Sequence, residues 1–213
     1  MELGDYADLP VDILMDTDDP FEMLRLLEQT AYGGIVRRAR RVFEEQGHDL
    51  FSLDSAIDRN FFIELAQHAR FLSIEEQSHL KQVMGVLMDR FNLLWLLRYR
   101  FSYGLSSSRS YYLLTATGNR LQTAQLMKLA RMSSLTAVID ELPATLKDLL
   151  TGVHDIYQVE QLMEVYSLSA AKKGLSHDFS AITRLFSYLL IREAETRYLL
   201  AIIKGKQLSL IHI

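Results

Sequence analysis

The chain has 213 residues, a formal net charge of -4 and no cysteine, with 49% apolar and 23% charged residues. This composition excludes the disordered class and rules out disulfides and thiolate metal sites. Mild acidity argues against nucleic acid as a main partner, and the length allows one large domain or two small ones.

Met1-Glu2-Leu3-Gly4-Asp5 lacks the basic and apolar regions of a signal peptide. Residues 1–20 read as an irregular segment ending in the acidic run Asp16-Thr17-Asp18-Asp19. Asp19-Pro20-Phe21-Glu22 is a helix start, with an N-cap, a proline at the first helical position and a glutamate at the third. The apolar period then predicts a helix over 21–46, with Gly33-Gly34 marking a kink or break. Arg37, Arg38, Arg40 and Arg41 form a basic run on it, with Glu44 and Glu45 one turn beyond Arg40 and Arg41. That spacing pairs charges on a solvated face.

Further helices are predicted over 54–70, 74–101, 109–115, 119–131, 134–142, 144–151, 155–173 and 179–204. Ser73-Ile74-Glu75-Glu76 reads as a capping box, Asp178 as the cap of the last helix, and Gly205 as the glycine that ends it. No strand-period alternation competes, so the fold class is all-α. The segment 89–100 aligns without gaps on 195–206, acid first and base last in both. This weak repeat divides the chain into helical units at 21–106 and 107–213.

The chemistry-bearing residues form no catalytic constellation. Counted from Asp16, an EF-hand needs glycine where Phe21 stands and glutamate where Leu27 stands. The six histidines, His48, His68, His79, His154, His177 and His212, show no metal-ligand spacing. Neither a phosphate-cradling glycine loop nor a nucleophile elbow is present. The expectation is no cofactor, no metal, no catalytic residue and no ATP hydrolysis.

Four segments carry a resemblance. They are 26–32, which ends in Gln29-Thr30-Ala31-Tyr32; Ile57-Asp58-Arg59-Asn60-Phe61-Phe62; Asp89-x-x-Asn92-Leu93-x-x-Leu96-Leu97-Arg98; and Glu193-Ala194-Glu195-Thr196-Arg197 followed by Ile203-Lys204-Gly205-Lys206. In this order they resemble the family that comprises the V-type ATPase d subunit and the A-type ATPase C subunit. Tyr198 departs from the family's usual asparagine, and Leu114-Thr115-Ala116-Thr117-Gly118 from its proline before the glycine.

The resemblance implies a funnel of three related helical units, of which this chain matches the middle and last. The first is expected to be absent, and self-association through the open face follows as an expectation. The implied role is a non-catalytic central-stalk subunit of a V/A-type rotary ATPase, peripheral at the cytoplasmic face of the membrane. Its implied partners are the central-stalk subunits and the membrane rotor ring. The rival readings are a stand-alone helical scaffold from the same family and an all-α magnesium-dependent enzyme built on Asp16–Asp19. The resemblance marks Asp58, Arg59, Asp89, Asn92, Arg98, Glu193, Glu195, Arg197 and Lys206 as polar residues that either contact other subunits or join helices. Phe61, Phe62, Leu93, Leu96 and Leu97 read as core.

Overall fold

A computed structural model describes residues 9, 11–115 and 118–211, with side chains as far as Gln207. Most described residues are helical and none is in a strand, so the chain is all-α. His212, Met1–Asp5 and the Ala116-Thr117 pair lie outside the described residues. Two compact units meet in sequence at His68 and Ala69.

The first unit contains α1 (Val11–Met15), α2 (Pro20–Leu27), α3 (Gly33–Glu45) and α4 (Leu50–His68). The short α1 corrects the expectation of an irregular start. The single helix expected over 21–46 is two. Thr30 ends the first by donating its hydroxyl to the Leu27 carbonyl at 2.7 Å. The chain then turns back so tightly that a Cβ on Gly33 would sit 2.2 Å from the Glu28 carbonyl oxygen. Only glycine fits that approach.

Leu24, Val36, Ala39, Phe43, Leu53 and Ala56 form the core between α2, α3 and α4. Helix α3 ends on Gly47 and His48, both with positive φ, as the His48 amide bonds back to the Phe43 carbonyl at 2.9 Å. Asp49 then caps α4 through the Phe51 and Ser52 amides, four residues before the predicted start. Of the basic run, Arg40 pairs with Glu44 at 2.8 Å and Glu28 at 3.2 Å, and Arg38 with Glu64 at 2.6 Å. Phe61 corrects the core prediction, since it is 44% exposed while Phe62 is buried. The two side chains point about 100° apart on α4, and it is Phe62 that turns to the core.

The second unit opens with a short 3-10 turn at Ala69–Phe71 and then α5 (Ile74–Leu97). Ser73 and Glu76 form the reciprocal capping box at the start of α5. Helix α5 continues into a π-helical turn, Arg98–Ser102. The remaining elements are α6 (Ser107–Tyr112), α7 (Thr123–Ala130), α8 (Leu135–Asp140), α9 (Ala144–Leu150), α10 (Ile156–Gly174) and α11 (Ala181–Ile211). Ser180, rather than Asp178, caps α11, its hydroxyl accepting from the Thr183 amide at 3.4 Å. Nor does Gly205 end that helix, which runs on to Ile211. A glycine inside a helix carries only a propensity penalty of about 1 kcal/mol, which a long helix absorbs.

Helix α5 is the axis of this unit. From Val83 to Leu97 every residue but Phe91 is buried. Helix α10 runs antiparallel to α5, and α11 folds back along α10, so the three form a bundle with α7 against α5.

The two glycines opening α3 give a paired test. Gly33→Ala forces the tight turn open and should destabilise the first unit by about 1–3 kcal/mol. At Gly34 a Cβ would meet nothing nearer than 3.7 Å. Gly34→Ala should therefore be neutral or stabilising by up to about 1 kcal/mol. Urea unfolding of the two variants reads the difference.

Candidate functional site

A helix buried on all sides normally carries no polar residue in its middle, yet α5 buries three within one turn. Asp89, Arg90 and Asn92 are 0%, 6% and 0% exposed. Burying a charge is costly unless it is paired and hydrogen-bonded, and the three are served by two parts of the unit, Asp89 and Asn92 by the loop between α6 and α7 and Arg90 by α10.

Asp89 holds the turn that leads into α7. Its carboxylate accepts the Leu121 amide at 2.8 Å and the Arg120 amide at 2.9 Å. The same turn is tied to α5 by the Asn119 amide on the Gly85 carbonyl at 3.2 Å. The approach is close: a Cβ on Gly118 would lie 2.3 Å from Asp89 Oδ1. Burial raises the Asp89 carboxyl above the ordinary aspartate range, against the lowering effect of the backbone amides. One turn along, Asn92 Oδ1 accepts the Thr115 amide at 2.9 Å and its hydroxyl at 3.3 Å. Asp89 and Asn92 thus grip both ends of the loop between α6 and α7.

Arg90 faces the other side. Its guanidinium lies 3.7 Å from Glu164 on α10, and Glu164 also accepts Arg197 of α11 at 2.8 Å. One carboxylate therefore joins two arginines from two helices at a point where all three helices meet. Burial lowers Arg90 from its ordinary value, and Glu164 pulls it back up. A turn of α10 earlier, Glu160 takes Arg98 at 2.8 Å.

The motif residues thus separate. Asp89 and Asn92 are buried joints, and Arg98 and Arg197 are half-exposed ties to α10. Asp89 and Arg98 do not meet each other. Glu193 lies 3.7 Å from Arg197, and Glu195 2.5 Å from Arg192, both pairs on the surface of α11. Lys206 is exposed. In the first unit Asp58 is exposed and Arg59 half-buried on α4. Crowding by surrounding protein first, and the like charge of Asp54 second, hold the Asp58 carboxyl above its ordinary range.

Sequence reasoning missed Arg90, Glu160 and Glu164. The available signal was the spacing of Glu160 and Glu164, two acids one turn apart and the only acids on that helix. Asp19, in the acidic run on which the magnesium-enzyme reading depends, caps α2 by accepting the Phe21 amide at 3.0 Å. Among the described residues, no group of three or more His, Asp or Glu is placed to hold a metal ion, and no helix is long and apolar enough to cross a membrane.

The second unit is an all-α packing module whose central helix turns its buried charges to neighbouring helices and turns. The family model described as ATP synthase (C/AC39) subunit matches residues 1–210, and the chain belongs to that family. The C subunit of the A-type ATP synthase of Halorubrum lacusprofundi is 26% identical over 215 residues, an alignment that covers 97% of this chain and 60% of that protein. The chain thus spans about three fifths of the length of the curated relative it matches.

Two sets of variants test the joints. Asp89→Ala leaves the buried Leu121 amide and its neighbour without an acceptor and should cost about 2–6 kcal/mol, at 1–3 kcal/mol per stranded group. Asp89→Asn keeps one acceptor oxygen and should cost less. The folded carboxyl lies above the unfolded value of about 3.9, so the folded state binds that proton more tightly. The contribution of Asp89 ionisation to stability should therefore be greatest below the unfolded value and decline as pH rises through the folded value. Subtracting the Asp89→Asn profile from that of the parent isolates this slope, and a difference that grows with pH would refute it.

Glu164→Gln strands the buried Arg90 charge and should cost about 3–5 kcal/mol. Arg197→Gln, at the half-exposed end of the same triad, should cost about 1 kcal/mol or less. Chemical denaturation of the pair measures the asymmetry.

Proposed function

We propose that this chain is a non-catalytic central-stalk subunit of a V/A-type rotary ATPase, lodged at the cytoplasmic face of the membrane between the rotor shaft and the membrane rotor ring. Membership of the ATP synthase (C/AC39) subunit family over residues 1–210 is the observation that carries this reading. The A-type ATP synthase named for the relative adds to it.

The role asks for mechanics rather than chemistry. A coupling between two rotating parts must not slip or shear internally. The α5–α10–α11 bundle suits that demand, because its joints are charged contacts between specific residues rather than apolar contacts alone. Sliding one helix past another would strand Arg90 or Glu164 in the interior, at a cost of several kcal/mol. On this reading the chain hydrolyses no ATP itself. Asp89, Asn92, Arg98 and Arg197 serve as internal ties. Asp58, Arg59, Glu193, Glu195 and Lys206 are the candidates for contact with other subunits. The division at 106 and 107 then marks two units of common descent, of which 89–100 and 195–206 are corresponding segments.

The test is capture of the native complex. The tagged chain, expressed in its own host, should co-purify from gently solubilised membranes with rotor-ring and stalk subunits in fixed proportion. Recovery free of both, from membranes that yield the intact ATPase by another subunit's tag, would overturn the proposal.

A further inference from the structure

One side-chain bond reaches across 101 positions of the chain to the start of α11. His79, half-buried in the second turn of α5, accepts the Ser180 amide on its Nδ1 at 3.1 Å. Ser180 is the residue whose hydroxyl caps α11. Its neighbour Phe179 lays its ring against the imidazole, with ring centroids 5.3 Å apart. Phe179 also lines a groove of about 260 Å³ between α5 and α10, with Val83, Val86 and Ala170. What holds Ser180 therefore holds part of the wall of that groove.

The bond depends on a protonation state. An amide N–H needs a lone pair to point at, and Nδ1 has one only in a neutral imidazole that carries its hydrogen on Nε2. In the imidazolium both nitrogens carry a hydrogen, so one N–H would be set against another. The new positive charge would also stand at the N-terminus of α11, the end at which a helix disfavours cations. Histidine is the side chain whose ordinary charge change falls between about pH 5 and 8.

The surrounding charges decide where a protonated His79 turns. Around the start of α11, Asp178 is bonded to Ser176 and Arg184 to His177. Lys172 and Lys173 at the end of α10, and Arg70 in the turn before α5, have the wrong sign. On α5 itself Lys81 is positive, and Glu76 is engaged with Ser73. Glu75 is left. It is exposed and lies one turn before His79, the spacing at which an acid and a cation four residues on attract each other.

We propose that His79 is a proton-operated clasp on the start of α11. Neutral, it holds Ser180 and keeps the Phe179 ring against α5. Protonated, it releases the Ser180 amide and turns to Glu75, and the segment from Leu175 to Ser180 loosens. The bond exists only without a proton on Nδ1, so its contribution is present at high pH and is lost as pH falls through the histidine range.

Nitrogen NMR of the histidine rings and amide hydrogen exchange of the full chain, at about pH 8 and about pH 5, test the clasp. At the higher pH the His79 ring should be the Nε2–H tautomer and the Ser180 amide protected. At the lower pH the protection factor of that amide should fall about fivefold, the worth of one hydrogen bond, while amides inside α10 keep theirs. His79→Asn sets an oxygen near the place of Nδ1 and does not titrate, so protection should persist at both pH values. His79→Leu should lack it at both. Glu75→Gln removes the partner of the protonated form and should move the loss to lower pH. A Ser180 amide equally protected at both pH values in the parent, a neutral ring with its hydrogen on Nδ1, the same loss in His79→Asn, or an unmoved midpoint in Glu75→Gln would each overturn the clasp.

Discussion

Burial of α5 on every side is the constraint from which the rest of the second unit follows. A helix with solvent on one face can turn its polar residues outward. From Val83 to Leu97 this one has no such face, so Asp89, Arg90 and Asn92 must find partners within the protein. Asp89 and Asn92, three residues apart, lie on one face of α5, and Arg90 lies on another. Asp89 and Asn92 fix the loop between α6 and α7. Arg90 fixes α10 and, through the shared Glu164, α11. Polar satisfaction thus places four elements around one helix, with a specificity that apolar packing alone would not supply.

The ion pairs form a gradient with depth. At the centre, Arg90 and Glu164 are 8% and 16% exposed at their side chains. Arg98–Glu160 lies at the margin, and Arg192–Glu195 in solvent. Chemically alike, these pairs differ in what they decide. A solvated pair exchanges water for a partner at little gain. An interior pair has no water to return to, so its geometry becomes a condition of folding. This difference is why the buried triad fixes how the three long helices register on one another, while the outer pairs of α11 remain free to meet other charges.

The first unit is held by other means. Its core is a small apolar cluster of Leu24, Val36, Ala39, Phe43, Leu53 and Ala56, and its turns depend on backbone shape. Gly33 permits a return that any side chain would block. Gly47 and His48 reverse the chain in the left-handed region, where Asn, Asp and His are the side chains best tolerated after glycine. Caps from Asp19 and Asp49 set where α2 and α4 begin.

The sequence by itself determined the class of the fold, most helix starts and the family. Helical period and caps are local properties, and the capping box at Ser73 or the N-cap at Asp19 is legible from four residues. Membership rested on spaced motifs whose order survives without any knowledge of contacts. What local pattern could not decide was how the polar residues of those motifs are used. Asp89 and Glu195 occupy corresponding places in the repeat, and both open a segment that reads acid to base. Yet Asp89 is fully buried and holds a turn some thirty residues away, while Glu195 stands in solvent beside Arg192. Arg90, Glu160 and Glu164 passed as ordinary helix charges for the same reason. Whether a charge faces water or the interior depends on which helices lie against it. That is settled by packing between segments far apart in the chain, and only the tertiary structure reveals it.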